Sequence, residues 1–418
     1  MFTESTIAQL IDARRIMDRC DVLAAHSEDQ DKLTRVFLSR QQRAAADTVI
    51  QWMREAGMSA RMDAIGNVMG RYEGATPGLP CLLLGSHLDT VRDAGRYDGM
   101  LGVVTAIECV QAFSNAGKRF PFAIEIAGFA DEEGTRFGST LLGSRALAGT
   151  FDRAALATLD RDGVSMSQAL RDFGLDPDRI DTAAKPAKEI LAYVELHIEQ
   201  GPVLETLGLA VGVVTAINGF SRLRLSLKGR AGHAGTVPMN LRQDALAAAA
   251  ECVLEVERIA QNVPDLVGTV GRIDASPGAI NVIPGDVSFT LDVRSPSNAD
   301  RETAVAKMLD AFHAITAKRK IALTVQTLQA QPVTACAPWL MSQLEVALRD
   351  ENHPAHRLPS GAGHDGMAMQ SVADIAMLFV RCKDGISHNP AESISEADAA
   401  AGARVLARFI ENFKVDKL

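Results

Sequence analysis

The chain has 418 residues, of which 47% are hydrophobic and 23% charged, with a formal net charge of −9. That length exceeds what one compact core serves, so two domains are expected, and the acidic balance without a long basic run argues against a nucleic-acid partner. The opening MFTESTIAQLIDARRIMDRC mixes charges and has no apolar signal core, no apolar stretch reaches transmembrane length, and the six scattered cysteines include no Cys-x-x-Cys pair, so a cytoplasmic protein with reduced thiols and no membrane partner is expected.

In chain order, a helical stretch through Arg43–Ala56 leads to a strand near Asn67–Tyr72 and then to PCLLLGSHLDTV at 80–91. There the run Leu82-Leu83-Leu84 stops at a glycine and delivers His87 and Asp89, while GRYDGMLG follows with Asp98. A short apolar run between turn formers marks a strand buried on both faces, and desolvating imidazole and carboxylate at its end is unfavourable unless something pairs with them. A helix over 101–116 and the strand FAIEIAGFA at 122–130 come next. AYVELHIEQG at 192–201 is extended, with Glu195, His197 and Glu199 sharing one face. Strands alternating with helices predict a three-layer α/β domain whose sites form at the carboxyl ends of the strands.

From about residue 212 the pattern changes. FSRLRLSLKG alternates with period two, RQDALAAAAECVLEVERIA is helical, and LVGTVGRID and DVSFTLDVRS are extended. A second helix, ADRETAVAKMLDAFHAITAKR, precedes the strand IALTVQTLQ. That order is βαββαβ, the ferredoxin-like split unit. After residue 330 the α/β pattern returns with a helix near Leu340–Arg349, the strand AMLFVR and a long terminal helix. The expected architecture is a discontinuous catalytic α/β domain over 1–211 and 329–418, with a βαββαβ domain inserted at 212–328.

Three further segments share the form of GSHLDTV. AGFADEEGTRF sets Asp131, Glu132 and Glu133 directly after a strand, ELHIEQG supplies His197, and DGISHNPAES supplies His388 after AMLFVR. Each has an ordinary alternative, since acidic triplets are usually solvated loops and a single histidine is more often structural. Together they assemble His87, Asp98, Glu133, His197 and His388, a mixed nitrogen and oxygen set suited to Zn²⁺, Mn²⁺, Co²⁺ or Ni²⁺. Five ligands exceed the three that one catalytic zinc usually takes, whereas two metals sharing a bridging carboxylate would use them all.

GSHLDTV, GRYDGMLGV, ADEEGTRF, VELHIEQGPVLE, GHAGTVPM, NVIPG, SGAGHDGMAM and GISHNPAES, in this order along nearly the whole chain, resemble the M20 family of di-metal amidohydrolases. The likeness is to its branch of allantoate amidohydrolases and N-carbamoyl-L-amino acid hydrolases. The resemblance implies two divalent ions per subunit, with His87 and His197 on one, Glu133 and His388 on the other, and Asp98 bridging. It implies that Asp89 orients His87 through the other ring nitrogen and that Glu132 is the general base. His233, in KGRAGHAGTVPM, would stabilise the oxyanion, reaching in from the lid domain of a homodimer partner. Asn281 and Arg294 match substrate-binding positions, and the planar fork of Arg294 suits a carboxylate. Gln200 is expected to contact an amide or ureido group and His364 to line the pocket.

A carboxylate anchor near two metals fits a small ureido or carbamoyl acid. Arg222 has a counterpart in the allantoate enzymes as the resemblance reads, which favours conversion of allantoate to ureidoglycine, ammonia and carbon dioxide, a step of purine catabolism. GSRALAGTFDRAAL looks equally like carbamoylases, so N-carbamoyl-L-amino acid hydrolysis stays open. An aminoacylase or exopeptidase of the same superfamily and a non-catalytic relative are the remaining alternatives.

Overall fold

The computed structural model describes residues 7–415. It divides into two compact units, each taken separately here: one holds the chain up to Thr215, Cys336–Leu358 and the chain from Ala362 onward, and the other holds Ala216–Ala335 with Pro359–Gly361.

Four parallel strands form the centre of the first unit, in the order Ala123–Phe129, Cys81–His87, Ile190–Ile198 and Ile375–Val380. Val68–Tyr72 and Ser59–Met62 extend the sheet antiparallel on one side, and Val211–Ile217 pairs antiparallel with Ile375–Val380 on the other. Every residue of Cys81–His87, Ala123–Phe129 and Ile375–Val380 is buried, as the continuous Leu, Ile and Val runs require of strands covered on both faces. The helix Met100–Asn115 packs on the central strands and is buried around most of its circumference, and Glu396–Asn412 packs beside it and on Ile375–Val380. Ser39 and Ser395 cap the helices Arg40–Glu55 and Glu396–Asn412 by accepting main-chain N–H bonds. All six cysteines are buried free thiols, and no helix among the described residues is long and apolar enough to cross a membrane.

The second unit is a sheet in the order Ile273–Ser276, Asp286–Ser295, Gly219–Lys228, Ala322–Gln331, with the helices Ala245–Ala260 and Asn298–Arg319. Leu223, Leu225 and Leu227 interleave with Val287, Phe289, Leu291 and Val293 and pack with Cys252, Val256, Met308 and Phe312 from the helices. The period-two alternation therefore sends Arg222, Arg224, Asp292 and Arg294 to the opposite face.

Two sequence expectations change in detail. LVGTVGRID is not one strand: Val267–Thr269 and Ile273–Ser276 are separate and pair with different stretches of Asp286–Ser295. The units also part a few residues later than the 212 and 328 positions where the pattern changes. Val211–Val214 pairs with Met377–Val380 and so belongs to the first sheet, while Ala322–Gln331 stays paired with Gly219–Lys228 as far as Gln331.

Candidate active site

The four parallel strands end together, and each end supplies part of one cluster. His87 closes its strand, Glu132 and Glu133 follow Ala123–Phe129, His197 lies one residue before the end of its strand, and His388 stands in the loop after Ile375–Val380. Asp98 enters from the turn before Met100–Asn115. Gly99 shapes that turn: its φ is +78°, and a Cβ there would stand 2.5 Å from the His87 ring.

One oxygen of Asp98 lies 3.4 Å from His87 Nε2 and 3.2 Å from His197 Nε2, and the other lies 3.3 Å from His388 Nε2. Glu133 Oε1 is 3.4 Å from that same His388 nitrogen. Donors held at about 2.0–2.2 Å around a tetrahedral ion stand about 3.3–3.6 Å apart, close to the spacings of 3.2–3.4 Å found here. The tautomers agree. His87 Nδ1 donates to the Asp89 carbonyl at 3.0 Å and His197 Nδ1 to the Ile198 carbonyl at 2.9 Å, which leaves Nε2 to act as an acceptor. The Gly99 N–H points at His197 Nε2 from 3.2 Å, as it would at a lone pair. The donor set therefore fits a pair of divalent cations.

The electrostatics point the same way. Burial would raise the Asp98 carboxyl, but the imidazoles of His197, His388 and His87 that face it hold it well below the usual range. Burial would lower His87 and His197, yet the Asp98 carboxylate draws both upward. Glu132 is pushed well up by burial and by the neighbouring Glu133, Asp365 and Asp89 carboxylates, and Glu133 is pushed up to about 7, chiefly by burial. His364, buried beside the His197 ring at a centroid distance of 4.6 Å, is driven well down by burial and by His197.

Two contacts differ from expectation. The Asp89 carboxylate does not reach His87: its nearer oxygen is 3.6 Å from Nδ1, and the main-chain carbonyl makes the bond instead. The carboxylate accepts the N–H groups of Glu132 at 2.9 Å and Glu133 at 3.2 Å. It thereby fixes the main chain of the acidic loop. Gln200 turns inward in a left-handed conformation and donates to Asp98 Oδ2 at 2.8 Å and to Ser387 Oγ at 3.2 Å, so its amide N–H group is engaged by the cluster.

The other predicted residues belong to the second unit. His233 is exposed, and its Nδ1 accepts from the Gly235 N–H at 3.0 Å, which turns Nε2–H outward as a donor. Asn281 is its neighbour, with its carbonyl accepting from the Ala234 N–H at 2.9 Å. Arg222 and Arg294 share Asp292, at 3.1 and 3.0 Å, and both lie over the Phe220 ring. Arg222 also donates to Gln329 and Arg294 to the Gly361 carbonyl.

Three residues of the cluster's surroundings were not expected. Glu195 accepts from Ser86 Oγ, Tyr193 Oη and the Gly366 N–H, and with His197 and His364 it forms a second group of facing donors. Its place on the His197 face of AYVELHIEQG was a signal available in the sequence. Ser387 and Glu392 join Asp98 from the His388 loop, and nothing local in that loop marks them.

Residues 83–412 match Peptidase family M20/M25/M40. N-carbamoyl-L-amino acid amidohydrolase of Geobacillus stearothermophilus is 42% identical over 374 residues, covering 90% of this chain and 91% of that protein. Allantoate deiminase of Arabidopsis thaliana is 36% identical, covering 98% and 84% respectively. The crystal structure of an amidase of the hydantoinase/carbamoylase family from Burkholderia multivorans aligns with a TM-score of 0.90 at 31% identity, over 96% of this chain and 97% of that one.

Proposed function

Because the chain belongs to Peptidase family M20/M25/M40, we propose that it is a two-cation amidohydrolase cleaving a ureido C–N bond in a small carbamoylated acid. The observation that carries this is Asp98, with His87 and His197 at one carboxylate oxygen and His388, backed by Glu133, at the other. Zn²⁺ or Mn²⁺ held there, or Co²⁺ or Ni²⁺ in their place, supplies Lewis acidity that polarises the ureido carbonyl and acidifies water.

Glu132 is the group that moves protons. Its main-chain N–H is fixed on Asp89, and burial with the surrounding carboxylates raises its proton affinity. It takes a proton from the attacking water and returns one to the departing nitrogen. Asp89 positions Glu132 and Glu133 through their amides and His87 through its carbonyl. His233 offers its outward Nε2–H to the developing oxyanion. Arg294 takes the substrate carboxylate, with Asn281 as a further polar contact. Gln200, whose N–H group meets Asp98, contacts the amide or ureido group, and His364, beside the His197 ring, lines the pocket.

Allantoate is the first substrate reading. Arg222 and Arg294 stand side by side on one Asp292, an arrangement that favours an acid bearing a second polar arm. The products would be ureidoglycine, ammonia and carbon dioxide. N-carbamoyl-L-amino acid hydrolysis is the second reading, favoured by the 42% identity to the Geobacillus protein. Ammonia release from allantoate, N-carbamoyl and N-acetyl amino acids with each metal decides between them. Release only from the N-acetyl compounds after deacylation is excluded by their chemistry, so acetate production there with no ammonia from any ureide would sink the ureide reading. The protein is further proposed to work as a homodimer through its inserted unit, where Leu254, Val267 and Ile273 are exposed; light scattering in solution reads this directly.

A further inference from the structure

We propose that Glu392 is a positioning residue: it locks the Asp98 turn and the His388 loop to each other and so sets how tightly the ion shared by Asp98, Glu133 and His388 is held. The inference rests on the two-cation reading above.

Glu392 is 2% exposed and lies nearly three hundred residues along the chain from the turn it grips. Its Oε1 accepts the main-chain N–H groups of Tyr97 at 2.8 Å and Asp98 at 3.2 Å. Its Oε2 is 2.9 Å from Ser387 Oγ, and that hydroxyl is 2.8 Å from Asp98 Oδ2. One carboxylate thus holds Asp98 directly by its backbone, and Ser387, whose one proton can go to only one of the two carboxylates, stands between Glu392 and the Asp98 side chain. The partners of Glu392 are amides and a hydroxyl, and among the described residues no guanidinium or ammonium pairs with it. A buried carboxylate so arranged is poor value for folding, since desolvation opposes it. Its geometry is suited to fixing a neighbour.

Two independent features depend on this contact. His388 has φ of +53°, a left-handed conformation that is uncommon for any residue but glycine and that persists where the surrounding structure fixes the loop. Ser387 before it and Glu392 after it are the holding points. Gly95, on the other side, is not in the left-handed region, yet a Cβ there would stand 2.1 Å from Glu392 Cδ. The segment GRYDG therefore opens with glycine to admit this side chain.

The test is calorimetric titration of metal-free protein with Mn²⁺, paired with hydrogen exchange of the metal-free form. Wild type should take two ions. Glu392→Ala should bind one of them roughly 10–100-fold more weakly, the usual effect of losing an outer support of a ligand, and its Tyr97 and Asp98 amides should exchange faster. Glu392→Gln keeps an acceptor for both amides and a donor for Ser387, so it should stay within about threefold of wild type. Gly95→Ala should mimic Glu392→Ala by displacing the carboxylate. A residue with only a structural role would lower the melting midpoint and leave ion affinity alone. Wild-type affinity in Glu392→Ala, or a Gln variant as weak as the Ala variant, overturns the proposal. Should Glu392→Ala not fold, Ser387→Ala carries the test: weakened binding supports the lock and unchanged binding overturns it. Wild type that binds no divalent ion would instead overturn the two-cation reading and this inference together.

Discussion

Asp292 in the inserted unit and the carboxylates at the strand ends of the other unit are both withdrawn from water, with opposite results. Burial would raise the Asp292 carboxyl, but Arg294 and Arg222 beside it bring it below its ordinary value. Asp131, Glu132 and Glu133 lie beside other acids and are all pushed upward, with burial the largest cause. The arginine-flanked acid is complete within the protein, the side on which we propose an acidic ligand binds. The crowded acids have no such partner among the described residues, and with the imidazoles beside them they form groups of donors that could hold a cation. A carboxylate's neighbours, more than its burial, tell a structural role from a metal-binding one.

The contrast can be broken most severely by removing cations. Chelation should abolish ureide hydrolysis and Mn²⁺ or Zn²⁺ should restore it, while the fold of the inserted unit persists by circular dichroism; full activity in protein shown free of metal by elemental analysis would refute the mechanism. Next in size, Glu132→Gln should retain two ions by the same analysis yet lose about 10²–10⁴ in kcat, the usual contribution of a general base. In the inserted unit the effect should be smaller and of another kind. Arg294→Ala should raise KM for acidic substrates roughly ten- to a hundredfold, because a hydrogen bond to a charged group contributes about 1.5–3 kcal/mol. Stability should change little, since Arg222 remains on Asp292; an unchanged KM would show the carboxylate anchor to be elsewhere.

The smallest effect concerns pH. Glu133 and Glu392 are both pushed up to about 7 by burial, with Asp98 adding to the shift. A folded-state pKa above the unfolded value contributes stability that is complete below the unfolded pKa and is lost as pH rises through the folded one. The melting midpoint of the metal-free protein should therefore fall between about pH 5 and about pH 8. Saturating Mn²⁺ should flatten the trend. Identical slopes with and without ions would mean that the strand-end acids are not where the ions bind.

Much of this was legible in residues. Leu82–Leu84 and the run at 122–130 read as buried strands because nothing polar interrupts them, and the acids and histidines that follow stand out against that background. The period-two alternation of FSRLRLSLKG likewise read as a strand with one buried face, and the structure puts Arg222 and Arg294 on the other. Other features were not legible. Asp89 was expected to reach His87 with its side chain, but the amides of Glu132 and Glu133 claim that carboxylate, and their direction depends on how the strand-end loops are laid down. Gln200 was expected to contact an amide or ureido group, and its N–H group also meets Asp98 and Ser387 from a left-handed backbone, which no local pattern signals. Glu392 lies within GISHNPAES, but nothing in that stretch tells that it reaches Tyr97 and Asp98.

The order of buried runs, the change of period near residue 212 and the spacing of His87, Asp98, Glu133, His197 and His388 after their strands are properties of the chain alone, because burial on two faces or one is written in which residues repeat. Which oxygen each imidazole faces, which carboxylate is taken by main-chain amides, and how Glu392 meets Tyr97 across almost the whole length of the chain are decided only by folding. Hydrogen bonds reach about 3 Å and depend on direction, and no one-dimensional pattern carries that geometry.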